Sequence, residues 1–431
     1  MSLPVPEGYQ TLDDARLRAW LAGLPHLAAK LGGDSAAWQI EEVGDGNLNL
    51  VFLVRGPAGG VCVKQSLPYV RAAGESWPMP LERAFFEHQH YAIAGPHLAG
   101  LIPQSWHYDP RLFASVIELL SPHRILRQEL VAGHAYPQAA LAVAEFVARS
   151  AVLTSPLAQP FETVFAHSAV FSRNVALTRV TAELIFADPF EDLVRNRWTT
   201  PELDHAAAAI RNHAAVRAAV ARLGHAFLTR KEALLHGDLH TGSVMVSADD
   251  TRVIDPEFAV YGPVGFDAGL FMANLLMAWF AQPGHATAQD NRQAFADGIL
   301  QQVRLFWQHF AQRYDALWQA HASGDAWPAR LFDSPATAAA FATERAERIR
   351  AVFADALGFA GAEIIRRILG FAHNLDFESI ADRPTRAAAE AAALQLAEHL
   401  LLHSADIADI DTLLAQLRQD TPNHTRLEAV A

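Results

Sequence analysis

Residues 38–43 (Trp-Gln-Ile-Glu-Glu-Val) alternate apolar and polar side chains with the period of a strand, and 50–54 (Leu-Val-Phe-Leu-Val) read as the returning strand after the turn Gly44-Asp45-Gly46-Asn47. A third strand follows Gly59-Gly60, in Val61-Cys62-Val63-Lys64-Gln65, with Lys64 as its only cation. From about residue 81 to 94 the period changes: Leu81, Ala84, Phe85, His88 and Ala92 recur at helical spacing. Residues 113–120 return to a buried strand that stops at Ser121-Pro122-His123. Beyond residue 121 the pattern is mainly helical. Ala-rich stretches at 138–153, 204–229, 336–357 and 385–402 carry apolar residues at spacings of three and four, and their alanines report helix propensity and close packing. The most apolar stretch, 268–281, is too short to span a membrane and predicts a buried helix. Asp267, just before it, is expected to cap that helix, the alternative being to brace the loop at 236–243.

One short β region interrupts these helices. Leu234-Leu235 lead into the loop His236-Gly237-Asp238-Leu239-His240-Thr241-Gly242-Ser243, and 244–246 and 252–254 predict two strands around the turn Ala248-Asp249-Asp250. Asp238 and Asp255 flank this hairpin. Glu257 would share the face of Asp255 if the second strand continues, because side chains alternate along a strand. Two acidic sites so placed suit Mg-ATP: one carboxylate accepts a hydroxyl proton while the other holds the metal that bridges the phosphates. A loose phosphoryl-transfer transition state needs positioning and charge neutralisation more than covalent help. Alone, an HGD tripeptide is a surface turn with a helix cap. The apolar run before it, the hairpin after it and the second acidic cluster favour the phosphoryl-transfer reading. A different chemistry would have His236, Asp238 and His240 converge on a transition metal, but the Asp255-Glu257 cluster suits hard Mg2+ better.

The amino-terminal elements supply what such a site needs next. Gly44 and Gly46 let backbone approach phosphates closely, although a GDGN turn by itself is an ordinary hairpin connection. Lys64 has the placing of a strand lysine that pairs the α and β phosphates; otherwise a lysine in an apolar strand marks an edge. Glu82 and Glu87 lie on the following helix, and Glu87 is the expected partner of Lys64. The strand at 113–120 would be a hinge whose backbone meets adenine.

Charge narrows the partners. The 34 Lys and Arg against 47 Asp and Glu give a net charge of −13, which argues against nucleic acid or an anionic membrane. The length of 431 residues allows two domains. The single cysteine, Cys62, cannot form an internal disulfide and reads as a small apolar strand residue in a reducing compartment. Residues 1–10 lack a basic region followed by an apolar run, so a cytoplasmic location is expected. His88, His90, His97, His107, His123 and His134 show no compact ligand spacing.

HGDLHTGS at 236–243, Asp255-Pro256-Glu257, the hairpin Gly44-Asp45-Gly46-Asn47-Leu48-Asn49, the tryptophan-containing stretch 74–80 and the segment 361–368 span nearly the whole chain. Through them the sequence resembles the aminoglycoside phosphotransferase and choline kinase superfamily, and within it the methylthioribose kinase family. The resemblance implies an α+β, two-lobed protein-kinase-like fold: an N-terminal antiparallel β-sheet lobe with one main helix over residues 1–118, and a larger, mainly α-helical lobe over 119–431. It implies ATP contacts from Gly44, Asp45, Gly46, Asn47, Asn49, Lys64, Glu87, Glu118 and Leu120. Asp238 would be the catalytic base, and Asp255 and Glu257 would hold Mg2+ with Ser243. That serine stands five residues after Asp238, where protein kinases place a metal-binding asparagine, so Glu257 is expected to replace it. Residues 117–120 are less polar than the family hinge.

Trp77, Arg366 and Arg367 would lie, with Asp238, at the methylthioribose. Adjacent helical residues point about 100° apart, so Arg366 alone is expected to make the direct contact; without the resemblance the pair reads as a surface dipeptide. The implied activity is ATP-dependent phosphorylation of 5-methylthioribose at its 1-hydroxyl, in methionine salvage, by a homodimer. Related kinases of choline, homoserine or aminoglycosides, and a non-catalytic ATP-binding module, are the alternatives.

Overall fold

The computed structural model describes residues 5–44, 48–71 and 74–420; Asp45, Gly46 and Asn47, expected at the nucleotide, lie outside the described residues. The chain opens with α1 (Asp14–Ala22) and α2 (Pro25–Leu31). Next come β1 (Gln39–Glu42), β2 (Asn49–Gly56), β3 (Gly59–Ser66), β4 (Tyr69–Val70), β5 (Gly74–Pro78), α3 (Arg83–Ala94), β6 (Ser105–Asp109) and β7 (Ala114–Glu118). Five strands form one antiparallel sheet in the order β1-β2-β3-β7-β6, and β4 pairs with β5. Lys64 therefore sits on a central strand, between Val51 and Ser115, and does not mark an edge.

The pattern predicts one helix in this lobe, whereas α1 and α2 also form. Each is short and buries only two leucines, Leu17 and Leu21 on α1 and Leu27 and Leu31 on α2, which cover the sheet through Trp38, Phe52, Val54 and Val61. A two-residue apolar stripe on a short helix gives little periodic signal.

The second part begins with β8 (Arg124–Ile125) and the helices α4 (Leu126–Ala132), α5 (Pro137–Leu153), α6 (Phe161–Phe171), α7 (Val175–Phe186), α8 (Asp204–Asn212) and α9 (Ala214–Thr229). The β region follows as β9 (Ala233–Leu235), β10 (Val244–Val246), β11 (Thr251–Val253) and β12 (Val260–Gly262). The chain continues through α10 (Gly265–Ala281), α11 (Gln293–Ala320), α12 (Pro335–Leu369), α13 (Leu375–Glu378), α14 (Arg383–His403) and α15 (Ile410–Asp420). Every residue of α10 is buried, so this helix forms the axis on which α11, α12 and α14 pack. α12 begins with a capping box, in which Ser334 and Thr337 satisfy each other's backbone donors. Its last turns, carrying Arg366 and Arg367, are buried. No helix among the described residues is long and apolar enough to cross a membrane.

Candidate active site

β9 pairs with β12, and β10 with β11, so the loop 236–243 leaves one small antiparallel pair and enters another. Gly237 has φ 86°, and a Cβ there would lie 2.2 Å from the Phe258 carbonyl oxygen; only glycine fits. The His236 and Gly237 N–H groups donate to the two oxygens of Asp267, at 2.7 and 3.0 Å. Asp267 thus braces the loop, contrary to the expected cap: α10 has Val264 at its N-cap and no side-chain cap bond. His236 is buried, with Nε2 on the Ile254 carbonyl (2.8 Å) and Nδ1 accepting the Asp238 N–H (3.3 Å). With both ring nitrogens engaged, His236 is unsuited to the three-ligand transition-metal centre.

Asp238 Oδ1 lies 3.6 Å from Arg366 Nη2 and 3.7 Å from Arg367 Nη2. The expectation that only Arg366 reaches is therefore corrected. Long side chains close the angle that the helix opens, and Glu363, one turn earlier and 0% exposed, holds both: Arg366 Nη1 at 3.3 Å and Arg367 Nε at 2.6 Å. Burial pushes the Asp238 carboxyl up, but His240 and the two guanidiniums overcome it and hold the group well below the usual carboxylate range. His240 is itself lowered by burial to about 4, against the opposing pull of Asp238. Arg127, which the sequence reading did not single out, supports the same loop: its Nε donates to Thr241 Oγ1 (3.2 Å) and its Nη2 to Asn274 Oδ1 (2.7 Å).

A second charged group faces this one from the sheet. Lys64 Nζ donates to Glu87 Oε1 at 2.8 Å and also to Asp255 Oδ1; the helix partner is Glu87, not Glu82. Burial disfavours the ammonium, yet Asp255 and Glu87 outweigh it and raise the Lys64 pKa well above its ordinary value. Asp255 adopts a left-handed conformation (φ 71°, ψ 47°), which turns the chain out of β11 into a short 3-10 turn. Glu257 therefore reaches the site through this turn and not by strand alternation. Glu257 is 1% exposed, accepts a bond from Asn49 Nδ2 (3.0 Å) and lies 3.4 Å from Arg83 Nε. Burial, together with Asp255, pushes its carboxyl up to about 7, against the opposing pull of Lys64 and Arg83. Asn174, also absent from the sequence reading, donates to the Glu257 and Ala259 carbonyls at 2.9 and 3.1 Å and fixes the turn.

Other expected site residues stand differently. Ser243 Oγ is engaged inside the loop, donating to the Asp238 carbonyl (3.2 Å) and lying 3.1 Å from His240 Nδ1. Asn49 is buried, and its amide is committed to Glu257 and Arg83. At the hinge the Glu118 N–H donates to the Gln104 carbonyl (2.8 Å), and Glu118 Oε2 accepts from the Gln104 N–H (3.1 Å). Both groups are thus turned to β6, while Leu120 is half-buried beyond the strand end. Trp77, on β5, packs its ring against Phe371 at 5.3 Å between centroids and so bridges to the segment just past Arg367.

Asp255 and Glu257 fit a hard divalent cation. Both offer oxygen donors, Glu257 Oε1 is buried without a hydrogen-bond partner, and Asp255 keeps 43% of its side chain open. Among the described residues no three His, Cys, Asp or Glu side chains form a metal cluster, so a metal here would share its coordination with phosphates.

A buried strand lysine paired with a helix glutamate, set against an acidic turn and an aspartate loop, is the arrangement of kinase-like phosphotransferases. The profile of the phosphotransferase enzyme family matches residues 39–306, and the chain belongs to that family. Relatives of matching length narrow it to the methylthioribose kinases. The chain is 40% identical to methylthioribose kinase 1 of Oryza sativa subsp. japonica over 402 residues, covering 92% of each. It is 37% identical to the methylthioribose kinase of Escherichia coli O45:K1 over 418 residues, covering 96% of this chain and 99% of the relative. The Pectobacterium atrosepticum methylthioribose kinase is 41% identical over 389 residues, 88% of this chain and 92% of the relative.

Proposed function

We propose that the protein transfers the γ-phosphoryl group of ATP to the 1-hydroxyl of 5-methylthioribose, giving 5-methylthioribose 1-phosphate and ADP. The observation that carries this reading is Asp238 Oδ1 lying beside both Arg366 and Arg367, in a chain that matches methylthioribose kinases along most of its length. Two guanidiniums suit a neutral sugar that becomes an anion on phosphorylation and disfavour a cationic acceptor such as choline.

Asp238 orients the acceptor hydroxyl and takes its proton. A carboxylate held so far below its usual range is a weak base, so the proton moves late, once the hydroxyl oxygen has given an electron pair to phosphorus and its O–H has become acidic. Arg366 and Arg367 receive the developing negative charge of the transferred phosphoryl. Lys64, held by Glu87, pairs the α and β phosphates. Asp255 and Glu257 would hold Mg2+, which when bound neutralises phosphate charge. Backbone at 118–120 receives adenine where the two lobes, 1–118 and 119–431, join, and Trp77 closes over the sugar. A cytoplasmic homodimer in methionine salvage completes the proposal.

A panel of acceptors tests it: 5-methylthioribose, ribose, choline, homoserine and kanamycin, each with Mg-ATP. Phosphate transfer to 5-methylthioribose alone is expected. Transfer to another acceptor in its place would discard the substrate, and transfer to none would favour a binding module.

A further inference from the structure

Arg83 belongs to none of the motifs that make up the site, yet it is 2% exposed at the start of α3. Its Nη2 donates to the Leu48 carbonyl (2.8 Å), and its Nη1 to the carbonyls of Leu67 (2.8 Å) and Pro80 (3.0 Å). Its Nε donates to Asn49 Oδ1 (3.0 Å) and lies 3.4 Å from Glu257 Oε2. Asn49 gives its own Nδ2 to that same Glu257 oxygen at 3.0 Å. Arg83 and Asn49 both engage Oε2, and Oε1 is the oxygen left without a hydrogen bond.

These contacts join separate pieces of chain. Leu48 precedes and Asn49 opens the strand β2, Leu67 follows the strand of Lys64, and Pro80 follows the strand of Trp77. One turn along α3, Glu87 holds Lys64. Residues i and i+4 share a helix face. The same face of α3 therefore sends a cation to Glu257 and a carboxylate to Lys64. A planar fork with five fixed donors can serve carbonyls, an amide and a carboxylate together, which an ammonium cannot.

We propose that Arg83 is a positioning residue that sets Glu257 and the start of β2 at Leu48 and Asn49 as one unit, so that the metal carboxylate and the strand edge beside the Lys64 strand are assembled together. This rests on Glu257 being a metal donor.

The test is binding of Mn2+ with ADP, followed by electron paramagnetic resonance, for the wild type, Arg83→Gln, Arg83→Lys and Asn49→Ala. Melting curves and the separate KM values for ATP and methylthioribose are measured alongside. Loss of an outer-shell partner weakens metal affinity roughly 10–100-fold, and that is expected for both folded Arg83 variants. The KM for ATP should rise while that for methylthioribose stays unchanged. Lysine should rescue little, since it restores the charge and not the fork. Wild-type Mn2+ and ADP binding in a folded Arg83 variant, or an equal rise in both KM values, would overturn the proposal. If neither Arg83 variant folds, Asn49→Ala decides: weakened binding supports it and wild-type binding overturns it. A wild type that binds Mn2+ with ADP but does not phosphorylate methylthioribose would defeat the substrate assignment and leave Arg83 standing. A wild type that binds no Mn2+ with ADP would end the metal reading and this inference with it.

Discussion

Arg366 and Arg367, neighbours on α12, bring their Nη2 atoms to the same oxygen of Asp238, at 3.6 and 3.7 Å. They do so because Glu363, one turn earlier, accepts from Arg367 Nε at 2.6 Å and forms an ion pair with Arg366 Nη1 at 3.3 Å, drawing together two side chains whose Cβ directions diverge by about 100°. Asp238 thereby faces a pair of positive charges that share one buried counter-ion. The two arginines are coupled through that counter-ion and through their common target.

Arg366→Met and Arg367→Met should each lower kcat/KM for methylthioribose, by roughly 10²-fold or more, as for loss of one preorganised donor. Because the pair shares Glu363 and Asp238, the double variant should fall short of the product of the singles, with a coupling of about 0.5–3 kcal/mol. A double-mutant cycle measures it. Strict additivity would mean that the arginines act independently.

Asp238→Ala should reduce kcat by on the order of 10²- to 10⁴-fold, the range for loss of a positioned general base. ATP affinity should be retained, since none of the nucleotide contacts proposed is made by Asp238. Calorimetric titration with ATP beside steady-state rates separates the two effects, and an unimpaired rate would remove Asp238 from the chemistry.

The strands β1, β2, β3 and β7 were readable because alternation and turn residues agree with one another, as in Val61-Cys62-Val63-Lys64, whereas β4, β5 and β6 and the order of strands in the sheet were not. The pairing of Lys64 with Glu87 was readable for the same reason: a single helix offered only two glutamates. What was not readable depended on three-dimensional closure. Asp255 leaves the strand through a left-handed residue, so alternation gave Glu257 the wrong route. Asp267 looked like a cap because it precedes an apolar helix, and nothing local says that its oxygens meet two N–H groups about 30 residues back. Arg83 and Glu363 each carried a faint signal, lying one turn from Glu87 and from the arginine pair.

Asp267→Asn should leave helix content unchanged, because α10 is not capped by this side chain. It should lower kcat, because the two loop N–H groups use different oxygens of Asp267 and the asparagine would set an NH2 donor against one of them; misplacement of a catalytic group by about 1 Å costs roughly 10²-fold. Far-ultraviolet circular dichroism and rate measurements on the same sample check both halves, and a loss of helix without a loss of kcat would restore the capping role.

Glu390, on α14, is 1% exposed, and burial pushes its carboxyl up to about 7 against the pull of Thr199 and Arg386. Its folded pKa is raised, so the folded state holds the proton more tightly than the unfolded chain. That contribution is present below about pH 4.5 and is lost as pH rises through 7. Glu390→Gln should therefore raise the Tm relative to wild type at pH 8 and leave it nearly unchanged at pH 4.5. Equal shifts at both pH values would assign the effect to packing alone.

The most direct measurement is phosphorus NMR of wild-type protein with Mg-ATP and 5-methylthioribose. ADP is expected together with a new phosphate monoester whose signal couples to the C1 proton of the sugar, absent with Asp238→Ala. Formation of ADP and free phosphate without a sugar ester, or phosphate on another hydroxyl, would contradict it.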